Sequence, residues 1–446
     1  MFAHAGLLLA GLTLTSARPP QQALTNNDNL HHNNHHNHQP PSIPGFVALG
    51  DSYSAGIGTP IPGPKENNCR QGTGAYPFLL AADLNLLPNP NSTSPTTNTT
   101  TPFQWLSCTG SLTTDLLSTS NPNSPSQIDT IALSPVPPAF ATLSIGGNDL
   151  GFFDVLNACI FRFYSFYSGT CASALAASEA ALLAPDFDLR LLLVLRETLD
   201  KVQWEKHPRF TITVTGYAKF FNAETEECDG VSLGVWWGGA GVVRGPKLTK
   251  EVRGRMNGLV ERVNAKIRRT VEGVNGGFAG MERVVFVDYD KEFEGHRFCE
   301  EGVKEPDYGR EETWFFLPGG GDSGEGGRPP DGNGTEVALG ERDGWLEEGS
   351  ELVDVEKCLE RAERGGDWGE RALCYMAVVK SRWPNERLVG EDLTQRLPWE
   401  EVGTTSWRAP TYYGKTFHPR SKGHEAIRDN VYEVWRQHGI KLGPRQ

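Results

Sequence analysis

The sequence predicts an α/β domain: a doubly wound, three-layer fold with helices on both faces of a parallel sheet. Two observations carry this. Four short apolar runs, Phe46–Leu49, Phe140–Ile145, Phe210–Val214 and Val284–Val287, are each followed by turn-forming or polar residues, as expected of strands buried on both faces. Between them lie helical patterns, the clearest being Val252, Met256, Leu259, Val260, Val263, Ile267 and Val271, whose spacing marks one buried helix face. Ala172–Leu183 and Leu189–Leu199 read as two further helices. Strands alternating with helices place the sheet between two helical layers.

The segments follow in order. Gly6–Leu14 is a short apolar stretch, followed by Thr15-Ser16-Ala17 and then Arg18-Pro19-Pro20. Residues 1–17 therefore read as an export signal with a small-residue cleavage site, too short to span a bilayer. Residues 18–44 are dominated by Asn, His and Pro, with five histidines between His31 and His38. Such a tract buries no core and reads as a disordered linker rather than a metal site. The main domain is expected over residues 45–440. Within it, residues 86–102 form a polar loop, and residues from about 303 to 350, crowded with Gly, Glu and Asp, read as a surface insertion. No internal repeat shows at periods of 20–50 residues, and no later segment holds the roughly 20 apolar residues of a membrane span.

At 446 residues the chain has room for one large domain or two smaller ones, and its hydrophobic content of 38% is diluted by 50 Gly and 30 Pro. A net charge of −13 argues against electrostatic binding of nucleic acid or a polybasic grip on anionic lipid. The eight cysteines, Cys69, Cys108, Cys159, Cys171, Cys228, Cys299, Cys358 and Cys374, show no CxxC or Cys/His metal spacing. Disulfides in an oxidising compartment are the simpler account, although eight cysteines allow 105 pairings and the spacing does not choose among them. Sequons at Asn91, Asn98 and Asn333 lie in polar segments that would accept glycans. No metal or organic cofactor is suggested by any motif.

Gly50-Asp51-Ser52 closes the run Phe46–Leu49 and puts a serine at the exit of a strand. That is the carboxyl edge of the sheet, where α/β folds keep their active sites. Alone, the tripeptide is also ordinary turn chemistry. Later come Cys108-Thr109-Gly110, then Ser144-Ile145-Gly146-Gly147-Asn148-Asp149, then Phe417-His418-Pro419. Together these residues resemble the SGNH (GDSL) hydrolase superfamily. The likeness covers roughly residues 45–440 in four short blocks separated by unmatched loops. It implies the flavodoxin-like fold of that superfamily and a secreted serine ester hydrolase.

Acyl transfer needs a nucleophile, a base beside it and donors aimed at the oxyanion. The resemblance assigns Ser52 as nucleophile and His418 as the base that takes its proton and returns it to the leaving alcohol. The oxyanion would be held by the backbone N–H of Ser52, the backbone N–H of Gly110 and the side-chain amide of Asn148. His424, six residues on, matches a later, non-catalytic histidine and is expected to support the following helix. Asp51 and Asp149 are expected to fix their turns rather than act as acids.

One position departs from the family pattern. Where members commonly carry Asp three residues before the histidine, this chain has Lys415. Its side chain is expected to point to solvent, with the backbone carbonyl near Lys415 accepting His418 Nδ1–H to give a Ser–His dyad. The alternative is an acid elsewhere, which the sequence does not identify. The expected cysteine pairing joins sequence neighbours, 69–108, 159–171, 228–299 and 358–374, the first two pairs resembling disulfides of secreted bacterial members.

The resemblance implies an acyl ester substrate, of a lipid or of an acetylated carbohydrate. Phe152, Phe153, Phe161, Phe163, Tyr164, Phe166 and Tyr167 follow soon after Asn148 and could line an acyl pocket, or form core. Trp236-Trp237 could meet a lipid surface or a sugar, with buried packing the default. A lipase or carboxylesterase is the first reading and a carbohydrate deacetylase the second. A non-catalytic binding protein on the same fold, suggested by Lys415, is the third.

Overall fold

In a computed structural model of the chain, residues 45–87, 102–119, 124–161, 170–233, 246–278, 280–317, 320–323 and 411–440 are described. The expected export signal and linker (1–44), the sequons Asn91, Asn98 and Asn333, the cysteines Cys358 and Cys374, and Trp236-Trp237 lie outside them.

Five strands, β1 (Gly45–Gly50), β2 (Phe103–Trp105), β3 (Pro138–Ser144), β4 (Thr211–Thr215) and β5 (Val284–Val287), form one parallel sheet in the order β2-β1-β3-β4-β5. Four of them are the predicted apolar runs. The edge strand β2 was not anticipated, because three residues with a glutamine in the middle carry no strand signature. The chain order reverses between β1 and β3, so the crevice at their carboxyl ends is the topological switch point where such sheets bind ligands.

The helices are α1 (Ser52–Ala55), α2 (Tyr76–Asp83), α3 (Thr113–Leu116), α4 (Phe152–Leu156), α5 (Cys171–Leu183), α6 (Pro185–Lys201), α7 (Lys250–Asn275), α8 (Thr411–Gly414) and α9 (Ser421–Gln437). The predicted periodic run is α7, started by Thr249, whose side chain caps the Val252 N–H. Because side chains alternate along a strand, the two sheet faces take different helices. On one face, Trp435 of α9 packs edge-on against Phe140 (centroids 5.2 Å apart) and donates its Nε1–H to Thr213 (2.8 Å). On the other, Arg268 of α7 covers the Phe286 ring at 4.8 Å. Helix α2 packs beside α9, and α6 beside α7. This gives the predicted three layers.

The core is anchored at the switch point. Phe46 lies in register with Phe103 and Phe140, and its ring stacks on both at 4.9 and 4.4 Å. Phe46 and Phe140 are fully buried, and truncating either to Ala is expected to cost about 3–5 kcal/mol. Three disulfides, Cys69–Cys108, Cys159–Cys171 and Cys228–Cys299, join sequence neighbours as expected. The fourth expected pair, 358–374, falls outside the described residues.

The insertion expected from about residue 303 does not begin there. Phe315, Phe316 and Leu317 are buried, and Phe315 pairs with Pro419 in an antiparallel bridge. The guanidinium of Arg420 donates to the carbonyls of Arg310, Thr313 and Asp322. The Asp322 carboxylate accepts both the N–H (2.8 Å) and the hydroxyl (2.5 Å) of Ser421. The glycine-rich composition hid the apolar run Trp314–Leu317, which provides the burial. Residues 324–350 lie outside the described set.

Candidate active site

The turn that carries Ser52 is built by sterics. Gly50 has φ +125°, and a Cβ there would lie 2.1 Å from the Ser144 carbonyl oxygen, so only glycine lets β1 leave the sheet so close to β3. The buried amide of Gln127 clamps the Gly50 peptide, accepting its N–H (2.8 Å) and donating to its carbonyl (2.9 Å). Asp51 then caps α1, with Oδ1 accepting the Tyr53 N–H (3.0 Å) and Oδ2 accepting the Tyr217 hydroxyl (2.6 Å). Burial pushes the Asp51 carboxyl up to about 7, against the pull of these two donors. Ser52 is thereby presented at the first position of α1, itself buried.

His418, 366 positions along the chain, meets it. The Nε2 atom lies 2.6 Å from Ser52 Oγ, and Nδ1 lies 3.2 Å from the Thr416 carbonyl. A carbonyl only accepts, so the ring proton belongs on Nδ1 and Nε2 accepts the serine hydroxyl. The carbonyl 3.2 Å from Nδ1 belongs to Thr416, the neighbour of Lys415, while the Lys415 carbonyl accepts the backbone N–H of His418 (2.9 Å) in a tight turn. The Lys415 ammonium lies over the Phe316 ring at 4.8 Å. Among the described residues no carboxylate hydrogen-bonds the His418 ring. Burial lowers His418 to about 4, with the Thr416 and Lys415 carbonyls pulling the other way.

The turn that aims His418 depends on Phe417, which has φ +63°, an uncommon conformation for a bulky residue. It is held from three sides. Its N–H donates to the Phe316 carbonyl (3.0 Å), its carbonyl accepts the Tyr53 hydroxyl, and its buried ring packs edge-on against Phe220 and Phe298. His424 is fully buried in α9, where Nδ1 accepts the Tyr76 N–H at 3.4 Å, and burial lowers it to about 3.

The predicted oxyanion residues come from two neighbouring turns. Gly110, with φ +88°, follows Cys108 and Thr109, whose N–H groups donate to the Gly50 carbonyl (3.0 Å) and the Cys69 carbonyl (3.1 Å). Asn148 lines the same cavity as Ser52, and one of its amide hydrogens goes to the Ser111 carbonyl (3.0 Å). An amide has two such hydrogens, and the second has no partner among the described residues. Asp149 accepts the N–H (3.0 Å) and hydroxyl (2.5 Å) of Thr113 and faces Arg190 at 3.6 Å, tying the Asn148 turn to α3.

Behind Ser52 the cavity is apolar, walled by Leu150, Phe152, Phe220, Met256, Val260 and Val263. Of the aromatic residues expected near an acyl site, Phe152 lines it and Phe153 packs against the core. Phe163, Tyr164, Phe166 and Tyr167 lie outside the described residues. The α7 residues Met256, Val260 and Val263 appeared in the sequence only as a buried helix face, a signal that does not distinguish core from cavity wall. Tyr53, Gln127 and Tyr217 were missed altogether, because each acts through a long-range hydrogen bond that no local pattern announces. Among the described residues no group of three or more His, Cys, Asp or Glu is placed to hold a metal ion.

No family model matches the chain. It is similar to Lipase 1 of Streptomyces coelicolor, 30% identical over 226 residues, which are 51% of this chain and 66% of that protein. It is also similar to a lipase of Streptomyces rimosus, 26% identical over 256 residues, 57% of this chain and 73% of the other. Among solved structures, the phospholipase A1 of Streptomyces albidoflavus NA297 is 26% identical, covering 58% of this chain and 84% of that one with a TM-score of 0.39. The matched region thus spans just under two thirds of the Streptomyces coelicolor lipase. The lipase relatives match about half of the chain, in a protein whose core is the parallel sheet described above. Both relatives agree with the resemblance to the SGNH (GDSL) hydrolase superfamily carried by the four sequence blocks.

Proposed function

We propose that this protein hydrolyses carboxylic esters as a lipase or carboxylesterase, with Ser52 as nucleophile and His418 as general base and acid. The observation that carries the reading is the 2.6 Å hydrogen bond between Ser52 Oγ and His418 Nε2 at an apolar cavity. A serine hydroxyl is a weak nucleophile until a base accepts its proton, and the neutral imidazole favoured by burial is in the form to do so.

In this reading Ser52 Oγ attacks the ester carbonyl carbon while its proton passes to His418 Nε2. The oxyanion is received by the N–H groups of Ser52 and Gly110 and the free amide hydrogen of Asn148, each such donor being worth about 10²–10³ in rate. His418 then protonates the departing alcohol, leaving an acyl-enzyme on Ser52. Water, deprotonated by the same imidazole, attacks the acyl carbonyl and releases the acid. The Thr416 carbonyl orients the ring and supports the imidazolium in place of a carboxylate. The apolar wall of Leu150, Phe152, Phe220 and Val260 favours an acyl chain longer than acetyl, hence a lipid ester over an acetylated sugar. Three disulfides fit export to an oxidising compartment, the location we propose.

The test is turnover of p-nitrophenyl esters from acetate to palmitate by the wild type and by Ser52→Ala. Long-chain turnover that vanishes in the variant is expected. Activity confined to acetate would point to carbohydrate deacetylation, and equal, negligible rates would point to a binding protein.

A further inference from the structure

The hydroxyl of Tyr217 touches both turns from which the site is assembled. It accepts the backbone N–H of Gly147 at 3.1 Å and donates to Asp51 Oδ2 at 2.6 Å. Gly147 immediately precedes Asn148, and Asp51 immediately precedes Ser52. One oxygen atom therefore spans the turn that carries the nucleophile and the turn that carries an oxyanion donor.

The tyrosine is itself fixed before it reaches either turn. Both sides of its peptide are clamped by the Asn264 amide of α7, which accepts the Tyr217 N–H (2.9 Å) and donates to its carbonyl (2.7 Å). Its ring stands edge-on to Tyr53 with centroids 5.0 Å apart, and the residue is buried. Gly216, which leads into it from β4, leaves the room this clamp needs: a Cβ there would lie 2.8 Å from Asn264 Oδ1. A side chain held at its root by α7 and at its tip by two other elements has little freedom to drift. The Asp51 carboxyl, buried in the wall of the site, gives the phenol a short acceptor at 2.6 Å.

We propose that Tyr217, whose ring stands in the wall of the same cavity, is a positioning residue that sets the spacing between Ser52 and Asn148 through the two hydrogen bonds of its hydroxyl. The inference rests on the functional reading above. It predicts that the hydroxyl, rather than the ring, matters, and that it matters only while Asn148 is there to be positioned. Removing the hydroxyl leaves Gly147 N–H without its acceptor and Asp51 without its strongest donor, so the two turns lose their shared reference point. A displacement of this kind, of order 1 Å, costs about 10²-fold where a reacting geometry must be met.

The experiment is a double-mutant cycle on the preferred p-nitrophenyl ester using Tyr217→Phe, Asn148→Ala and both together, with Ser52→Ala alongside. Titration of active serines with a phosphonate gives the competent fraction, so kcat is read per folded site. Tyr217→Phe is expected to lower kcat about 10- to 100-fold with KM nearly unchanged, and to have almost no further effect once Asn148 is Ala. A wild-type kcat in Tyr217→Phe, or equal fold-losses with and without Asn148, would overturn the proposal while an inactive Ser52→Ala keeps the functional reading standing. Undiminished activity in Ser52→Ala would overturn both.

Discussion

Tyr53 donates its hydroxyl to the carbonyl of Phe417 across 2.8 Å, joining residues 364 positions apart. Each is the chain neighbour of a residue in the proposed catalytic pair, Ser52 on one side and His418 on the other. The bond therefore links the two turns whose separation decides whether serine and imidazole meet. Tyr53→Phe keeps the ring and removes the bond. A buried hydrogen bond of this type is worth about 0.5–1.5 kcal/mol, so kcat is expected to fall about 3- to 10-fold with KM little changed. Steady-state kinetics beside a melting curve check this: a lowered Tm with wild-type kcat would mean that the bond holds the fold and not the pair.

Lys415 stands where related enzymes place an acid, yet its charge lies over Phe316 and the Thr416 carbonyl accepts from the histidine. Lys415→Ala is accordingly expected to keep most of the esterase activity, within about 3-fold, because the carbonyl that faces the ring is backbone and survives the substitution. His418→Ala is expected to lose it. Comparable losses in the two variants would show that the lysine side chain takes part.

The pH dependence follows from the direction of the His418 shift. The base must be neutral to accept the serine proton, and burial lowers its pKa from 6.5 to about 4. Activity should therefore persist from neutrality into mild acid and decline only as pH falls through about 4. A kcat/KM profile whose acid limb is centred near 6.5 would mean that the imidazole is far better solvated than its burial implies. The same histidine, with buried His424, binds fewer protons folded than unfolded. Their contribution to stability is full above 6.5 and is lost as pH falls toward 3–4.

Val260 lies on the inner face of α7 and walls the cavity beside Ser52. Val260→Trp would fill that space. The expected outcome is a shift of chain-length preference, with kcat/KM for palmitate falling at least about 10-fold, the scale of a few lost methylene contacts, and that for acetate nearly unchanged. A uniform loss across the ester series would instead indicate that the substitution distorts the fold.

How much of this was readable in advance follows from the physics of each signal. Strands buried on both faces need continuous apolar runs, so β1, β3, β4 and β5 stood out, whereas Phe103-Gln104-Trp105 needed only one neighbour and looked like loop. Ser52, Asn148 and His418 could be nominated because their short blocks together resemble the SGNH (GDSL) hydrolases, whereas each block alone reads as ordinary turn chemistry. Their geometric partners could not be. Which carbonyl meets His418 Nδ1 is decided by the positive φ of Phe417, and no periodic pattern encodes a single backbone angle. Tyr217 reads as one more aromatic after a strand until the sheet brings Asp51 and Gly147 to its hydroxyl. The glycine-rich stretch after 303 misled for the opposite reason: its average composition outweighed the four apolar residues that decide its packing.

The clasp between Asp322 and Ser421 closes a span of 99 positions. Thr411 is tethered separately, through its hydroxyl, to the carboxylate of Glu66. His418 sits three residues before the clasp, so its station is fastened from outside the sheet as well as from within it. Weakening either tether would reach the imidazole without touching any residue of the cavity wall.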